Sequence, residues 1–93
     1  METVMVMEEN QTFKEIIDNA LSALKSGCRA LILDFSRIYY LPSSTLGVIV
    51  ALDKKFRDDG AVIKLRNLND DAVKQLKLFG LDKLIIGETN AHS

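Results

Sequence analysis

Hydrophobic residues along this chain follow two spacings, one typical of strands and one typical of amphipathic helices. Helical spacing starts at Thr12, at about Ser44 and after Asn69. Short apolar runs between these helices predict four strands, at residues 4–7, 30–33, 61–65 and 84–86. The alternating order predicts an α/β fold with right-handed crossovers, in which one four-stranded parallel or mixed sheet is packed by about three helices.

Polar residues and glycines mark where the predicted helices begin and end. Thr12 and Glu15 match a capping box, in which each side chain accepts a hydrogen bond from a backbone N–H at the start of a helix. Gly27 is expected to end this first helix in a left-handed conformation. A second helix is predicted over residues 44–58, and Asn69 is expected to cap a short third one.

Length and composition describe one ordinary folded domain. The 93 residues suffice for a single core, so we expect one domain over residues 1–93, with residues 87–93 as a loose tail. A formal net charge of −1 creates no strong electrostatic field that would attract nucleic acid or anionic lipid. The chain contains neither a signal-peptide pattern nor an apolar run of membrane-spanning length. We therefore expect a cytoplasmic protein that does not insert into a membrane.

Residues suited to catalysis are scarce. His92, the only histidine, lies in the predicted tail, where it is a poor general base and a poor metal ligand. Cys28 has no cysteine or histidine partner and is interpreted as a buried apolar side chain. Neither of the common glycine-rich phosphate-binding motifs occurs. The sequence therefore predicts no catalytic residue, no metal site and no cofactor.

Asp34 offers one alternative chemistry. It closes the continuous apolar run 30–33, whose pattern is typical of a strand covered on both faces. A carboxylate at this end of a parallel strand could accept a phosphoryl group, as in receiver domains. Such a site also needs an acidic pair for magnesium, which Glu8 and Glu9 supply only loosely. The simpler interpretation is that Asp34 ends the strand and bonds to the following loop.

The segment 41–47 carries the most information. Pro42, the only proline, precedes three consecutive hydroxyl residues, Ser43, Ser44 and Thr45, where a helix begins. Ser43 could act as the N-cap of that helix. The same geometry would also expose a hydroxyl whose phosphate would meet unbonded amides and a favourable dipole. Periodicity alone does not decide between these two hypotheses.

The helix that follows has an unusually wide apolar arc, and Asp53 falls within it, between Leu46 and Ile49 on a helical wheel. Packing of the helix on two sides would explain the width. A buried carboxylate without a partner is costly, however, so Asp53 favours a different interpretation. In that interpretation the edge formed by Leu46, Val50 and Asp53 faces solvent or a partner protein.

Several motifs in the correct order resemble the STAS domain of bacterial anti-sigma factor antagonists. They are LILDFS at 31–36, PSSTLGV at 42–48, Gly60 before a strand, LRNL at 65–68 and LFGLD at 78–82. In that family a serine directly after an aspartate is phosphorylated by an anti-sigma factor kinase, and Ser43 occupies the matching position. The resemblance implies a non-enzymatic switch: the unmodified domain binds the kinase and the phosphorylated domain is released. Ser44 is the second choice of acceptor, and Pro42, Thr45, Leu46, Val50 and Asp53 are the predicted partner-binding residues.

This chain departs from the family pattern at Pro42, which stands in place of the aspartate, and at Thr45, which stands in place of a glycine. These departures favour a second hypothesis, a phosphorylation-independent adaptor in a regulatory or transport assembly, as some STAS relatives are. The resemblance also indicates that the first strand of the family's opening hairpin is missing. A sheet edge left exposed in this way predicts a homodimer as a further possibility.

Overall fold

The computed structural model describes residues 2–86. The predicted tail at 87–93 and His92 within it lie outside these residues. Strands and helices alternate in the order β1 (Glu2–Val6), α1 (Phe13–Lys25), β2 (Ala30–Asp34), α2 (Ser43–Asp58), β3 (Val62–Arg66) and α3 (Asp70–Leu78), followed by a short 3-10 helix (Asp82–Leu84).

The three strands form one parallel sheet in the order β1-β2-β3. The predicted α/β class with three helices is confirmed, whereas the described residues contain three strands and not four. Residues 84–86 do not form the predicted strand, because the 3-10 helix that follows α3 takes up Leu84. Only a single parallel bridge, Leu65 to Ile85, joins this segment to β3.

The core lies between the helices and one face of the sheet. Alternate strand residues, among them Leu31, Leu33, Ile63 and Leu65, join apolar residues of α1, α2 and α3 in a single cluster. Ile32 points to the opposite face and lies outside this cluster, although it is only 4 % exposed. Its cross-strand neighbours in register are Val4 and Lys64, so it is flanked by a strand on each side. A continuous apolar run in β2 therefore reflects its central position in the sheet.

The predicted starts of α1 and α3 and the predicted end of α1 are confirmed in their bonding. Thr12 and Glu15 form the capping box of α1, and the Asn69 side chain accepts a hydrogen bond from the Ala72 N–H at the start of α3. Gly27 has a φ of 97°, which glycine adopts at little cost. Cys28 is buried as predicted, and its Sγ lies 3.2 Å from the Ala30 carbonyl oxygen. In the part of the chain described, no helix has the length and hydropathy needed to cross a membrane.

Candidate partner-docking site at the start of α2

The loop between β2 and α2 is tied to the turn that follows β1. The Arg37 guanidinium lies 2.8 Å from a carboxylate oxygen of Glu8. The backbone N–H of Tyr39 donates to a carboxylate oxygen of Glu9 at 3.0 Å. The two acidic residues considered as a magnesium pair are therefore engaged in holding this loop.

The other side of the loop is tied to α3. The Asn69 side-chain amide donates to the Tyr39 carbonyl at 3.2 Å, and the Gln75 amide donates to the Leu41 carbonyl at 3.0 Å. Leu41 itself is buried in the core. Contacts on both sides thus fix the backbone that leads into α2.

The N-terminus of α2 differs from the prediction by one residue. Pro42 is the N-cap, with φ −68° and ψ 150°, and Ser43 is the first helical residue. The fixed φ of proline suits this position, but proline provides no side-chain oxygen to cap the helix, and no side-chain cap hydrogen bond is present. The hypothesis that Ser43 is the N-cap is therefore wrong. Because the first N–H groups of a helix have no acceptor within it, those of Ser43 and Ser44 point out of the helix end.

The three hydroxyl residues have different environments. Ser43 and Ser44 are exposed, whereas Thr45 is only 9 % exposed and its backbone N–H donates to the Pro42 carbonyl at 3.0 Å. Helical geometry turns Thr45 towards the core, since residues one position apart are separated by about 100° around the axis. Thr45 therefore does not obstruct access to Ser43, contrary to what its bulk suggests in the sequence.

The predicted edge of Leu46, Val50 and Asp53 is not a single exposed surface. Leu46 is fully buried and Asp53 is 6 % exposed, while Val50 is 46 % exposed. The interpretation that Leu46 and Asp53 face solvent is wrong because Arg57, one turn later, provides the partner that Asp53 seemed to lack. Arg57 Nε lies 3.2 Å from Asp53 Oδ2, and Arg57 remains largely exposed. This ion pair allows the carboxylate to lie at the boundary of the core.

The first half of α2 presents mostly small residues to the surface. We define the α2 outer face as Ser43, Ser44, Gly47, Val50 and Ala51, all of which are exposed. A Cβ atom added at Gly47 would have no heavy atom within 4 Å, apart from its two chain neighbours and the nearby backbone of its own helix. Gly47 and Ala51 were not predicted from the sequence to be part of this surface. Gly47 lies three residues after Ser44, and Ala51 lies four residues after Gly47, so helical geometry places all three on one side of the helix. This spacing was the signal available in the sequence.

An apolar groove adjoins this face. It has a volume of about 220 Å³ and is lined by Phe13, Ile38, Tyr40 and Pro42, among others. Tyr39 and Tyr40 are 85 % and 68 % exposed on the loop that the contacts above hold in place. Exposed tyrosines on a fixed backbone are well suited to protein contacts. They were also missed in the sequence, where they are two aromatic residues just before Pro42.

Asp34 has a structural role at the carboxyl end of β2. The backbone N–H of Ser36 donates to Oδ1 at 2.9 Å, Arg66 Nε donates to Oδ2 at 3.1 Å, and the Asn67 amide lies 3.2 Å from both oxygens. Asn67 adopts a φ of 60°, a left-handed conformation that asparagine tolerates. Both oxygens of Asp34 are thus engaged in joining β2 to β3, which supports the simpler interpretation of Asp34 over the receiver hypothesis.

This bonding sets the protonation of Asp34. Burial acts to raise the pKa of the carboxyl, but the hydrogen bonds donated by Ser36, Asn67 and Arg66 outweigh it and lower the pKa from 3.8 to about 2. Because the pKa of Asp34 is lower in the folded state than in the unfolded state, its ionised form stabilises the fold. Above pH about 4 this adds about 2 kcal/mol to the free energy of unfolding, and the contribution is lost as the pH falls towards 2.

We therefore expect Asp34→Asn to lower the free energy of unfolding by about 2 kcal/mol at pH 7, with a much smaller difference near pH 2. Urea denaturation of both proteins across this pH range measures the difference. An equal destabilisation at both ends of the range would show that the charge of Asp34 contributes nothing.

Within residues 2–86, no group of three or more histidine, cysteine, aspartate or glutamate side chains could hold a metal ion. What the site offers is an exposed pair of serine hydroxyls, a helix end with outward N–H groups and an apolar surface beside them. This arrangement is suited to contact with another protein and to modification by it.

Comparison with known proteins places the chain in a family. A family model described as "Mlab, STAS domain" matches residues 9–87. The structure of the anti-sigma factor antagonist SpoIIAA in its unphosphorylated form is similar with a TM-score of 0.79 and 17 % identity, covering 95 % of this chain and 81 % of that one. The structure of the phosphorylated form of SpoIIAA, a Bacillus cell fate determinant, is similar with a TM-score of 0.67 and 16 % identity. This match covers 95 % of this chain and 79 % of that one. No curated protein matches the chain. The chain belongs to the STAS domain family.

Proposed function

We propose that this domain is a non-enzymatic, cytoplasmic anti-sigma factor antagonist that binds an anti-sigma factor kinase and is released when Ser43 is phosphorylated. The observation that carries the proposal is the exposure of Ser43 at the first turn of α2, directly after a loop held from both sides. The fold likeness to SpoIIAA, solved in unphosphorylated and phosphorylated forms, supports a switch of this kind.

The α2 outer face provides the docking surface in this proposal. Its small side chains allow another protein's backbone to approach closely, and the exposed Tyr40, which lines the adjoining groove, supplies a larger apolar contact. Partner binding by Leu46 and Asp53, predicted from the sequence, is not retained because both are buried. Val50 and the half-buried Pro42 stay in the proposed surface, and Thr45 supports it from below.

Phosphorylation of Ser43 would act through charge. The phosphate adds about 1.5–2 negative charges at a position where the unmodified hydroxyl can be covered by the partner. The outward N–H groups of the helix end stabilise that phosphate in the unbound domain. Burying it against the kinase would require its desolvation, which opposes binding. Ser44, one residue further along the exposed end, is the second choice of acceptor.

A phosphorylation-independent adaptor in a regulatory or transport assembly is the second candidate. Pro42 favours it, because the family motif has an aspartate at this position and proline leaves no carboxylate beside the acceptor serine. Thr45 no longer favours it, since Thr45 is only 9 % exposed and Ser43 beside it remains exposed. In this candidate function the same docking surface would be used without a switch.

Two substitutions at Gly47 test the docking surface. Gly47→Ala should raise the free energy of unfolding by about 0.5–1 kcal/mol, because alanine is the better helix former, and should preserve binding. Gly47→Arg keeps a strong helix former but covers the small-residue surface, so we expect kinase affinity to fall by at least about tenfold. Isothermal titration calorimetry with the cognate anti-sigma factor kinase measures both.

Ser22→Arg on the exposed side of α1 is the control for an added arginine. Equal affinities for the Gly47→Ala and Gly47→Arg variants would place the docking surface elsewhere. A kinase that does not bind the wild-type domain at all would leave the adaptor function as the better account.

A further inference from the structure

The two edges of the sheet are treated differently in the described part of the chain. The β3 edge carries Lys64 and Arg66, and the Ile86 N–H donates to the Leu65 carbonyl at 2.8 Å, so a neighbouring segment covers part of it. The β1 edge has no such cover within residues 2–86, since β1 pairs with β2 alone. Among the described residues, the β1 edge is therefore the more open to a further strand.

Side chains on β1 do nothing to discourage strand addition. The strand reads ETVMV, with no lysine, no proline and no inward-pointing charge, which are the usual means of protecting an edge. Val4 and Val6 are 43 % and 40 % exposed on the sheet face opposite the helices. An unprotected edge with exposed β-branched side chains is well suited to pairing.

The backbone groups at this edge can be assigned from one hydrogen bond. The Met7 N–H donates to the Asp34 carbonyl at 2.8 Å and so points towards β2. Because successive N–H groups of a strand point in opposite directions, those of Glu2, Val4 and Val6 point away from β2, together with their carbonyls. The edge thus presents donors and acceptors at alternate residues over the whole of β1.

We propose that a second copy of this chain pairs with β1 in antiparallel orientation about a two-fold axis at Val4, forming a continuous six-stranded sheet. In this register Val4 faces Val4 of the partner copy, and Glu2 faces Val6, so that each is a hydrogen-bonded pair. No like charges face each other directly. The edge is therefore complementary to itself, which is why the occupant is a second copy of the chain.

Pairing along a five-residue strand covers a small area, below that of a standard stable interface. The dimer is accordingly concentration-dependent. It lies on the sheet edge and not on the α2 outer face, so it is independent of the proposed function and can fail or succeed separately from it.

Sedimentation equilibrium over a series reaching millimolar concentration tests the dimer. The apparent mass should rise from 10.4 kDa towards twice that value. Val4→Pro removes the outward N–H while keeping the bonds to β2, and should remain monomeric at every concentration. Val4→Thr keeps both the N–H and the β-branch and should dimerise. A wild-type mass that stays at 10.4 kDa throughout would overturn the proposal.

Two further measurements cover other outcomes. Val62→Lys alters the same open face at the opposite edge, and loss of the dimer in this variant would point to face-to-face packing and against edge pairing.

Amide exchange in the wild type does not depend on whether Val4→Pro folds. Exchange at Val4 and Val6 should slow as concentration rises, while exchange at Met7 should not. Equal behaviour of all three amides would contradict edge pairing.

Discussion

Replacing Ser43 by aspartate is expected to weaken binding to the anti-sigma factor kinase by roughly 100-fold, or about 3 kcal/mol. The reason is the position of the side chain, which is exposed in the isolated domain and central to the proposed contact. A carboxylate there would be desolvated by the partner without a dedicated cation. The free domain tolerates the charge because an acidic side chain at a helix N-terminus interacts favourably with the dipole.

Titration calorimetry of three variants separates charge from loss of the hydroxyl. Ser43→Ala should bind as the wild type does, because the hydroxyl itself is not required for contact. Ser22→Asp places the same charge on the exposed side of α1 and should leave affinity unchanged. An affinity of Ser43→Asp within about threefold of wild type would support the adaptor function and reject the switch.

The second large effect concerns stability. Leu46→Ala should lower the free energy of unfolding by about 2–5 kcal/mol, since it deletes a fully buried side chain from the core. Val50→Ala, only four residues later on the same helix, should change it by no more than about 0.5 kcal/mol, because Val50 is 46 % exposed. These two residues formed one predicted edge in the sequence, and the structure separates them.

Chemical denaturation at neutral pH measures both variants under identical conditions. Near-equal destabilisation of Leu46→Ala and Val50→Ala would mean that α2 is rotated about its axis relative to the arrangement described here. In that case the definition of the α2 outer face would also have to change.

Much of the fold is contained in local sequence signals. The helices were predicted from their periodicity, and their ends from the capping box at Thr12 and the Asn69 cap, because a cap depends only on residues a few positions apart. The consecutive apolar residues at 30–33 identified the central strand. These features do not require knowledge of the tertiary structure.

Some expectations failed because a hydrophobic pattern shows neither ion pairs nor competition between neighbouring elements. The boundary position of Asp53 depends on its pairing with Arg57, which a hydrophobic pattern does not register. The apolar run at 84–86 looks like a strand, but the 3-10 helix after α3 competes for the same residues. The engagement of Glu8 by Arg37 joins residues far apart in the chain, so spacing alone could not show it.

The candidate site was found only in part. The position of Ser43 was recognisable from the family motif and from the proline before it, and its exposure required the structure. Gly47 and Ala51 were missed because small residues on a helix give no hydrophobic signal. Tyr39 and Tyr40 were missed because their exposure depends on how the loop is held against α3.

The most direct test of the account is the mass of the domain after incubation with the cognate anti-sigma factor kinase and ATP, with the site then mapped by fragmentation. We predict one added phosphate on Ser43, absent from Ser43→Ala and retained in Ser44→Ala. A wild-type domain that binds the kinase and gains no phosphate on either serine would contradict the switch.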